Sequence, residues 1–201
     1  MSAPAGTDWL SDTLRTMAGP PGRALARLGV APNAVTLAAL ALNVVAALLI
    51  AGTALGPVEA GAVVLAVGFL DAIDGTVARH TGRVTAYGGV LDAVVDRVSE
   101  SALLVGLLAA SLAQGERLDV LACAAALGTF PLVSYVRAKA ESLGQRITTG
   151  LANRSVRVLA LGVGLCLEVA GPVVAALALA SLFTALHRML VLRRLLERSP
   201  S

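Results

Sequence analysis

The sequence is poor in cysteine and shows neither a cleavable leader nor a repeat. Its two cysteines, Cys123 and Cys166, both fall within apolar runs. Two thiols in such surroundings support neither a disulfide framework nor a Cys/His metal site, so we expect small core residues. The N-terminal region lacks a short apolar run followed by a cleavage site, and no signal peptide is expected. The absence of an internal repeat argues against a transporter built from two related halves.

Apolar residues are abundant instead. They make up 57% of the 201 residues, which is too much for an ordinary soluble domain. The length suits one membrane domain. The positions of the charges are more informative than the net charge of +3, and no nucleic-acid partner is expected.

Six segments are apolar and long enough to cross a hydrocarbon core about 30 Å thick. They are residues 32–50, 57–79, 88–113, 118–136, 157–170 (begun several residues earlier) and 172–192. Residues 8–28 predict an amphipathic helix at the membrane interface, broken at residues 19–22, Gly-Pro-Pro-Gly. The sequence therefore predicts an all-α integral membrane protein. Residues 1–31 form an N-terminal juxtamembrane helix, and residues 32–201 form a six-helix membrane domain.

Basic residues predict the orientation of these helices. The loops after the first, third and fifth helices contain only Arg117, against the acids Glu59, Glu116, Asp119 and Glu168. Nearly all other basic residues lie in the remaining loops and at the two ends. By the positive-inside rule, both termini and the acidic ends of helices two and three face the cytoplasm. We therefore expect a multi-pass protein of the cytoplasmic membrane with its site on the cytoplasmic side.

Four aspartates interrupt two of the apolar segments: Asp71, Asp74, Asp92 and Asp96. Spacings of three and four residues place each pair on one helix face, about one turn apart. The turn-rich residues 80–89 allow the two pairs to meet. Four carboxylates at membrane depth repel one another and are costly, so a positive group must lie between them. Hard divalent cations favour such oxygen clusters, and Mg²⁺ usually completes its shell with substrate phosphates.

A structural alternative is that the acids pair with Arg79, Arg83 and Arg97 and only stabilise the helix bundle. Desolvating several ion pairs in a bundle is seldom favourable in itself. We therefore prefer the interpretation that the carboxylates bind metal.

The stretch reads Asp71-x2-Asp74-Gly75-x2-Ala78-Arg79-x8-Gly88-x3-Asp92-x3-Asp96. All eight fixed positions match the signature of the CDP-alcohol phosphotransferases, and the chain resembles that family. The resemblance implies a membrane enzyme that joins a CDP-linked lipid to an alcohol and releases CMP. It also implies a homodimer.

The resemblance assigns roles to the four acids. It implies two divalent ions, Mg²⁺ or Mn²⁺, with Asp71 and Asp92 bridging both and Asp74 completing one site. Asp96 contacts the second ion and accepts the proton of the attacking hydroxyl. A carboxylate beside the nucleophile can act as general base if the geometry is right.

Contacts to the CDP-lipid follow from the same resemblance. They are expected at Asn33, Thr36, Gly75, Ala78, Arg79, Thr85 and Gly88. Arg79 suits a pyrophosphate clamp because its charge is permanent and its donors are forked. The small residues could equally serve close helix packing, and Asn33 could be a helix cap.

The acceptor alcohol is expected to carry a phosphate. Arg137, Arg157 and Arg188 match the basic residues with which the inositol-phosphate-using branch of the family holds its acceptor, and CDP-diacylglycerol is the expected donor. The chain departs from that branch at Asn153 and Val156, where an acid is usual. The alternative for these arginines is ordinary positive-inside enrichment, of which Arg154, Arg193, Arg194 and Arg198 are taken as examples.

Other interpretations stay open. Glycerol 3-phosphate is the nearest rival acceptor, and serine or free inositol would need less positive charge. A cation-conducting transporter and a non-catalytic membrane scaffold are alternatives of a different class. Glu100, one turn beyond Asp96, could line the acceptor cavity or cap a polar network. The sequence does not decide between them.

Overall fold

Every element of the described structure is an α-helix. The structure is a computed structural model that describes residues 8–81, 85–147 and 153–198. Its helices are α1 (Asp8–Arg27), α2 (Pro32–Ala51), α3 (Pro57–Thr81), α4 (Ala86–Gln114), α5 (Arg117–Ser142), α6 (Arg154–Cys166) and α7 (Ala170–Arg198). The prediction of an all-α protein is confirmed.

Within the described ranges, four helices are long and apolar enough to cross a membrane. The spans are Pro32–Ala51, Pro57–Ala78, Arg117–Ser142 and Ala170–Glu197. They correspond to the first, second, fourth and sixth predicted segments. A chain with several such helices is a multi-pass membrane protein.

The other two predicted spans differ from these four. Helix α4 has 29 residues, but its first half is charged, which lowers its hydropathy. Helix α6 begins at Arg154, three residues before the predicted start, and has 13 residues. A helix of that length is about 20 Å long and cannot cross the hydrocarbon core unaided. Six spans therefore remain a prediction.

The predicted break in the N-terminal helix is wrong. Helix α1 continues through Pro20 and Pro21. It packs against α3, where Ala18 is fully buried with Ile73 and Val77. A Cβ at Gly22 would lie 2.6 Å from Thr76 Cγ2. Because glycine permits this approach, α1 packs closely on α3. This packing offsets the free-energy cost of the backbone hydrogen bonds that the two prolines remove.

Glycine also permits the closest helix contacts of the bundle. Helix α2 packs against α3 and α4, and α6 packs against α3 and α7. A Cβ at Gly106 of α4 would collide with the Ala47 backbone of α2. A Cβ at Gly61 of α3 would collide with α6 near Gly162. Small residues at such crossings let backbones approach closely, and they bring α4 against α2 and α6 against α3.

Candidate active site

The carboxylates of the aspartate motif lie on two neighbouring segments of helix. Asp71 is in the second half of α3, which ends at Thr81, and Asp92 and Asp96 are in the first turns of α4. Thr85 caps α4: the Gly88 N–H donates to Thr85 Oγ1 at 2.9 Å. Residues 82–84, with the predicted Arg83, lie outside the described residues.

Asp71 and Asp96 meet on one cation, the guanidinium of Arg154. Arg154 Nη2 donates to Asp71 Oδ1 at 3.1 Å, and Nη1 donates to Asp71 Oδ2. Arg154 Nη1 also lies 2.8 Å from Asp96 Oδ1. All three side chains are largely buried. The positive group that the sequence requires between the acids is thus present as an arginine of α6.

The contact to Asp96 is an ion pair rather than an aligned hydrogen bond. Among the described residues, Asp96 Oδ1 and Arg154 Nε are buried without a hydrogen-bond partner. A buried carboxylate oxygen without a hydrogen-bond partner, inside an acidic cluster, is available to bind a further cation or to accept a proton. Asp71 and Asp92 both lie near enough to Asp96 for their negative charges to act on it.

The cluster is incomplete as a metal centre in the described residues. Within these ranges no three carboxylate, imidazole or thiol groups are close enough to hold an ion. The Asp74 side chain, the predicted completing ligand, lies outside the described residues, and Arg154 occupies one side of Asp71. The donor set nevertheless consists of oxygens, the ligands that Mg²⁺ and Mn²⁺ prefer.

The predicted CDP-lipid residues lie near the start of α2, near the end of α3 and at the start of α4. Asn33 is exposed at the start of α2, and a Cβ at Gly88 would stand 3.5 Å from its Oδ1. Thr36 is buried, and its hydroxyl donates to the Pro32 carbonyl at 3.2 Å. Ala78 is partly buried in α3. For Gly75 and Arg79 only the position along α3 is described; the Arg79 side chain lies outside the described residues.

Arg157 lies inside the bundle and is paired with Glu100. Its Nε donates to Glu100 Oε1 at 2.7 Å and its Nη2 to Oε2 at 2.8 Å. The guanidinium carbon stands 4.7 Å from the centroid of the Phe130 ring, a cation–π contact. Glu100 therefore belongs to a polar network that orients a predicted acceptor-binding arginine.

Arg188 and Arg137 complete the predicted basic group. Arg188 is buried in α7 and donates from Nη1 to the Val133 carbonyl of α5 at 2.8 Å. Arg137 is exposed on α5 and pairs with Glu141 at 2.9 Å. The positive charges of Arg137 and Arg157 both act on Arg188. Arg137 and Arg157 each also pair with an acid, and the like charge around Arg188 favours an anionic ligand beside it.

Sequence reasoning missed the role of Arg154 in this site. The positive-inside pattern accounts for Arg154 without a role in the site. Arg97, one of the three arginines of the structural alternative, donates to the Ala93 carbonyl, and its charge also acts on Asp92 and Asp96. One signal was available. Arg154 precedes Arg157 by three residues, so both lie on the same face of α6.

Comparison with known proteins gives the same family as the motif. Residues 29–187 match the family model described as CDP-alcohol phosphatidyltransferase. An archaetidylinositol phosphate synthase of Methanothermobacter thermautotrophicus is 42% identical over 57% of the chain, and the chain spans 56% of its length. A phosphatidylinositol phosphate synthase of Mycobacteroides abscessus is 35% identical over 90% of the chain and 86% of its own length.

Solved structures of the Mycobacterium tuberculosis phosphatidylinositol phosphate synthase share the fold. One with CDP-DAG bound has a TM-score of 0.78 at 29% identity and covers 88% of this chain and 94% of its own. Another, in complex with manganese and citrate, also has a TM-score of 0.78, at 30% identity, and covers 88% of each chain. The family match spans most of the sequence, and the chain belongs to the CDP-alcohol phosphatidyltransferase family.

Proposed function

We propose that the protein transfers a phosphatidyl group from CDP-diacylglycerol to an inositol phosphate and releases CMP. The observation that carries this proposal is the convergence of Asp71 and Asp96, from two different helices, on one cation. The relatives named as inositol phosphate synthases support the choice of acceptor. The CDP-DAG-bound neighbour supports the choice of donor.

The chemistry is a phosphoryl transfer. The acceptor hydroxyl oxygen forms a bond to the lipid-bearing phosphorus of the donor. The bond from that phosphorus to the bridging oxygen breaks, and its electron pair leaves with CMP. Asp96 accepts the hydroxyl proton; its Oδ1 is buried and lacks a hydrogen-bond partner among the described residues. A positioned base of this kind contributes about 10²–10⁴ in rate.

Asp71, Asp74, Asp92 and Asp96 are the residues that would hold divalent ions, two in number, with Mg²⁺ or Mn²⁺ as candidates. The manganese complex of the neighbouring structure supports a divalent metal. When bound, such ions neutralise the pyrophosphate and stabilise the leaving group. The chain's own contribution is to aim carboxylate oxygens from α3 and α4 at one place.

The donor would lie at the end of the bundle where α2 and α4 begin and α3 ends. Asn33, Thr36 and Thr85 line the approach, and Arg79 would clamp the pyrophosphate. Position 88 is tight, since a Cβ there would stand 3.0 Å from Thr85 Oγ1 and 3.5 Å from Asn33 Oδ1, and glycine is proposed to keep these two side chains accessible to the donor. Gly75 and Ala78 are proposed to leave similar room on α3.

The acceptor phosphate would lie between Arg137, Arg157 and Arg188. A dianionic ligand relieves the repulsion among these charges, which act on one another across three helices. Glu100 neutralises part of the charge of Arg157 and fixes its plane. An uncharged acceptor such as serine or inositol would make no use of the three positive charges, of which Glu100 and Glu141 each offset one.

We place the site at the cytoplasmic face of the cytoplasmic membrane, with both termini on that side, and we expect a homodimer. The distribution of basic residues in the sequence supports this orientation. Orientation can be tested separately from activity, by labelling single cysteines placed at positions 117 and 146 in intact cells.

The direct test is an acceptor panel. Purified protein with Mg²⁺ and CDP-diacylglycerol is expected to release CMP when given myo-inositol 1-phosphate. Faster release with glycerol 3-phosphate would replace the proposed acceptor and keep the reaction. No CMP release with any phosphorylated alcohol would overturn the proposed function.

A further inference from the structure

Arg154 contacts two of the acids that are proposed to bind metal. Both of its terminal nitrogens contact Asp71, and one of them also contacts Asp96. Both acids belong to the proposed metal ligands. A carboxylate oxygen whose lone pairs face a guanidinium cannot direct the same lone pairs at an ion. Arg154 and a divalent cation therefore compete for Asp71 and Asp96.

The pairing of Arg154 leaves more polar atoms without partners than that of Arg157, the next arginine of the same helix. Arg154 Nε and Asp96 Oδ1 are buried without hydrogen-bond partners among the described residues. Arg157, one turn further along α6, makes two hydrogen bonds to Glu100 and stacks on Phe130. Arg154 also makes two hydrogen bonds, both to Asp71, but its contact with Asp96 is a charge contact without an aligned hydrogen bond.

The location of Arg154 also indicates that the acids hold it. It is the first residue of α6, directly after the cap residue Asn153. A cation at a helix N-terminus is disfavoured by the helix dipole. The carboxylates of α3 and α4 offset this unfavourable interaction. If another cation neutralises those carboxylates, Arg154 loses the attraction that holds it at this position.

We propose that Arg154 is a displaceable internal counter-ion of the carboxylate cluster. Its guanidinium neutralises Asp71 and Asp96 before metal enters, and it leaves them when divalent ions bind. The inference rests on the proposed function, because the divalent ions of that function are the competitors. In consequence, the apparent metal affinity is the intrinsic affinity multiplied by the fraction of molecules in which Arg154 has left the cluster.

The test is Mn²⁺ binding by the full chain in detergent, without lipid substrate or acceptor. Free Mn²⁺ is measured by electron paramagnetic resonance, and thermal stability is measured in EDTA and in saturating Mn²⁺. Arg154→Gln is expected to bind Mn²⁺ at least about fivefold more tightly than the wild type and to be less stable in EDTA. Arg154→Lys, which keeps the charge but loses the fork, is expected to lie between them.

Arg193→Gln is the matched control. It removes the same charge from an exposed pair with Glu197, and it is expected to match the wild type in both measurements. Unchanged or weaker Mn²⁺ affinity in Arg154→Gln would overturn the inference, because Arg154 would then support the metal site rather than compete for it. If that variant does not fold, Arg154→Lys decides in the same way: affinity equal to or below that of the wild type overturns the inference.

Failure of the inference can be separated from failure of the proposed function. A wild-type protein that binds Mn²⁺, combined with an Arg154→Gln variant that binds it no better, would remove the inference alone. A wild-type protein that binds no Mn²⁺ at millimolar concentration would remove both the inference and the metal-dependent reaction.

Discussion

Glu100 holds Arg157 one helical turn away from the place where Asp96 meets Arg154. The two acids of α4 are four residues apart, and the two arginines of α6 are three apart, so two ion pairs reach between the same helices. Their bonding differs: the Glu100 pair is two-pronged, whereas the Asp96 pair leaves polar atoms without partners. We interpret the first as a fixed support of the acceptor site and the second as the part that changes during the reaction cycle.

This difference predicts the effect of Glu100→Gln. The amide keeps the shape but leaves the charge of buried Arg157 uncompensated, which costs about 3–5 kcal/mol. We expect a clearly lower unfolding temperature and an acceptor KM raised about tenfold or more, with the CDP-diacylglycerol KM little changed. Steady-state kinetics with each substrate varied in turn measure the second effect.

Glu197→Gln is the control for that prediction. It removes one acid from an exposed i,i+4 pair with Arg193, and such pairs contribute about 0.3–0.5 kcal/mol. Its stability and both KM values are expected to match the wild type. Equal increases of both KM values in Glu100→Gln would show that Glu100 supports the whole fold rather than the acceptor site.

A second prediction concerns the crossing of α2 and α4. In Gly106→Ala the new methyl group would collide with the Ala47 backbone, and such overpacking typically costs about 1–3 kcal/mol. We expect a lower unfolding temperature and weaker CDP-diacylglycerol binding, because α2 and α4 carry Asn33 and Gly88, two residues of the proposed donor site. Thermal unfolding in detergent and a lipid-binding titration measure the two effects.

Gly128→Ala provides the matched comparison. Gly128 also lies within a helix, but a Cβ there meets no atom within 4 Å. Alanine is favoured over glycine inside helices by about 0.8–1.0 kcal/mol, so Gly128→Ala is expected to be as stable as the wild type or more so. Equal stability of the two variants would contradict the close packing of α2 on α4.

The family and the helical character could be predicted from the aspartate spacing and the hydropathy, and both are confirmed. The partner of the acids could not be predicted. Arg154 and Asp71 are 83 residues apart, and local patterns do not specify such a contact. Helix α1 was misjudged for a related reason, since Gly22 fits against Thr76 only in the folded bundle. The roles of the individual site residues remain predictions.

A third prediction tests the acceptor site through Arg137. Arg137 is exposed, and its partner Glu141 lies on the same helix, so its loss costs little folding energy. Hydrogen bonds to charged groups contribute about 1.5–3 kcal/mol. Arg137→Gln is therefore expected to raise the KM for inositol phosphate about tenfold or more, while the KM for CDP-diacylglycerol stays within about twofold.

Arg193→Gln again serves as control, because it loses the same charge from an exposed pair of the same spacing. It should leave both KM values unchanged. Equal increases of both KM values in Arg137→Gln, or no change in either, would make Arg137 an ordinary surface charge. The acceptor phosphate would then have to be held by other residues.

The last prediction separates proton transfer from substrate binding at Asp96. Asp96→Asn keeps the size of the side chain but removes the basic oxygen, and loss of a positioned base lowers turnover about 10²–10⁴-fold. CDP-diacylglycerol affinity is expected to stay within about threefold, because the proposed donor contacts lie on α2, α3 and the first turn of α4. CMP release and a lipid-binding titration on the same preparation measure both quantities. Turnover within tenfold of the wild type would remove Asp96 from the role of base, whereas a parallel loss of turnover and donor affinity would make it a binding residue.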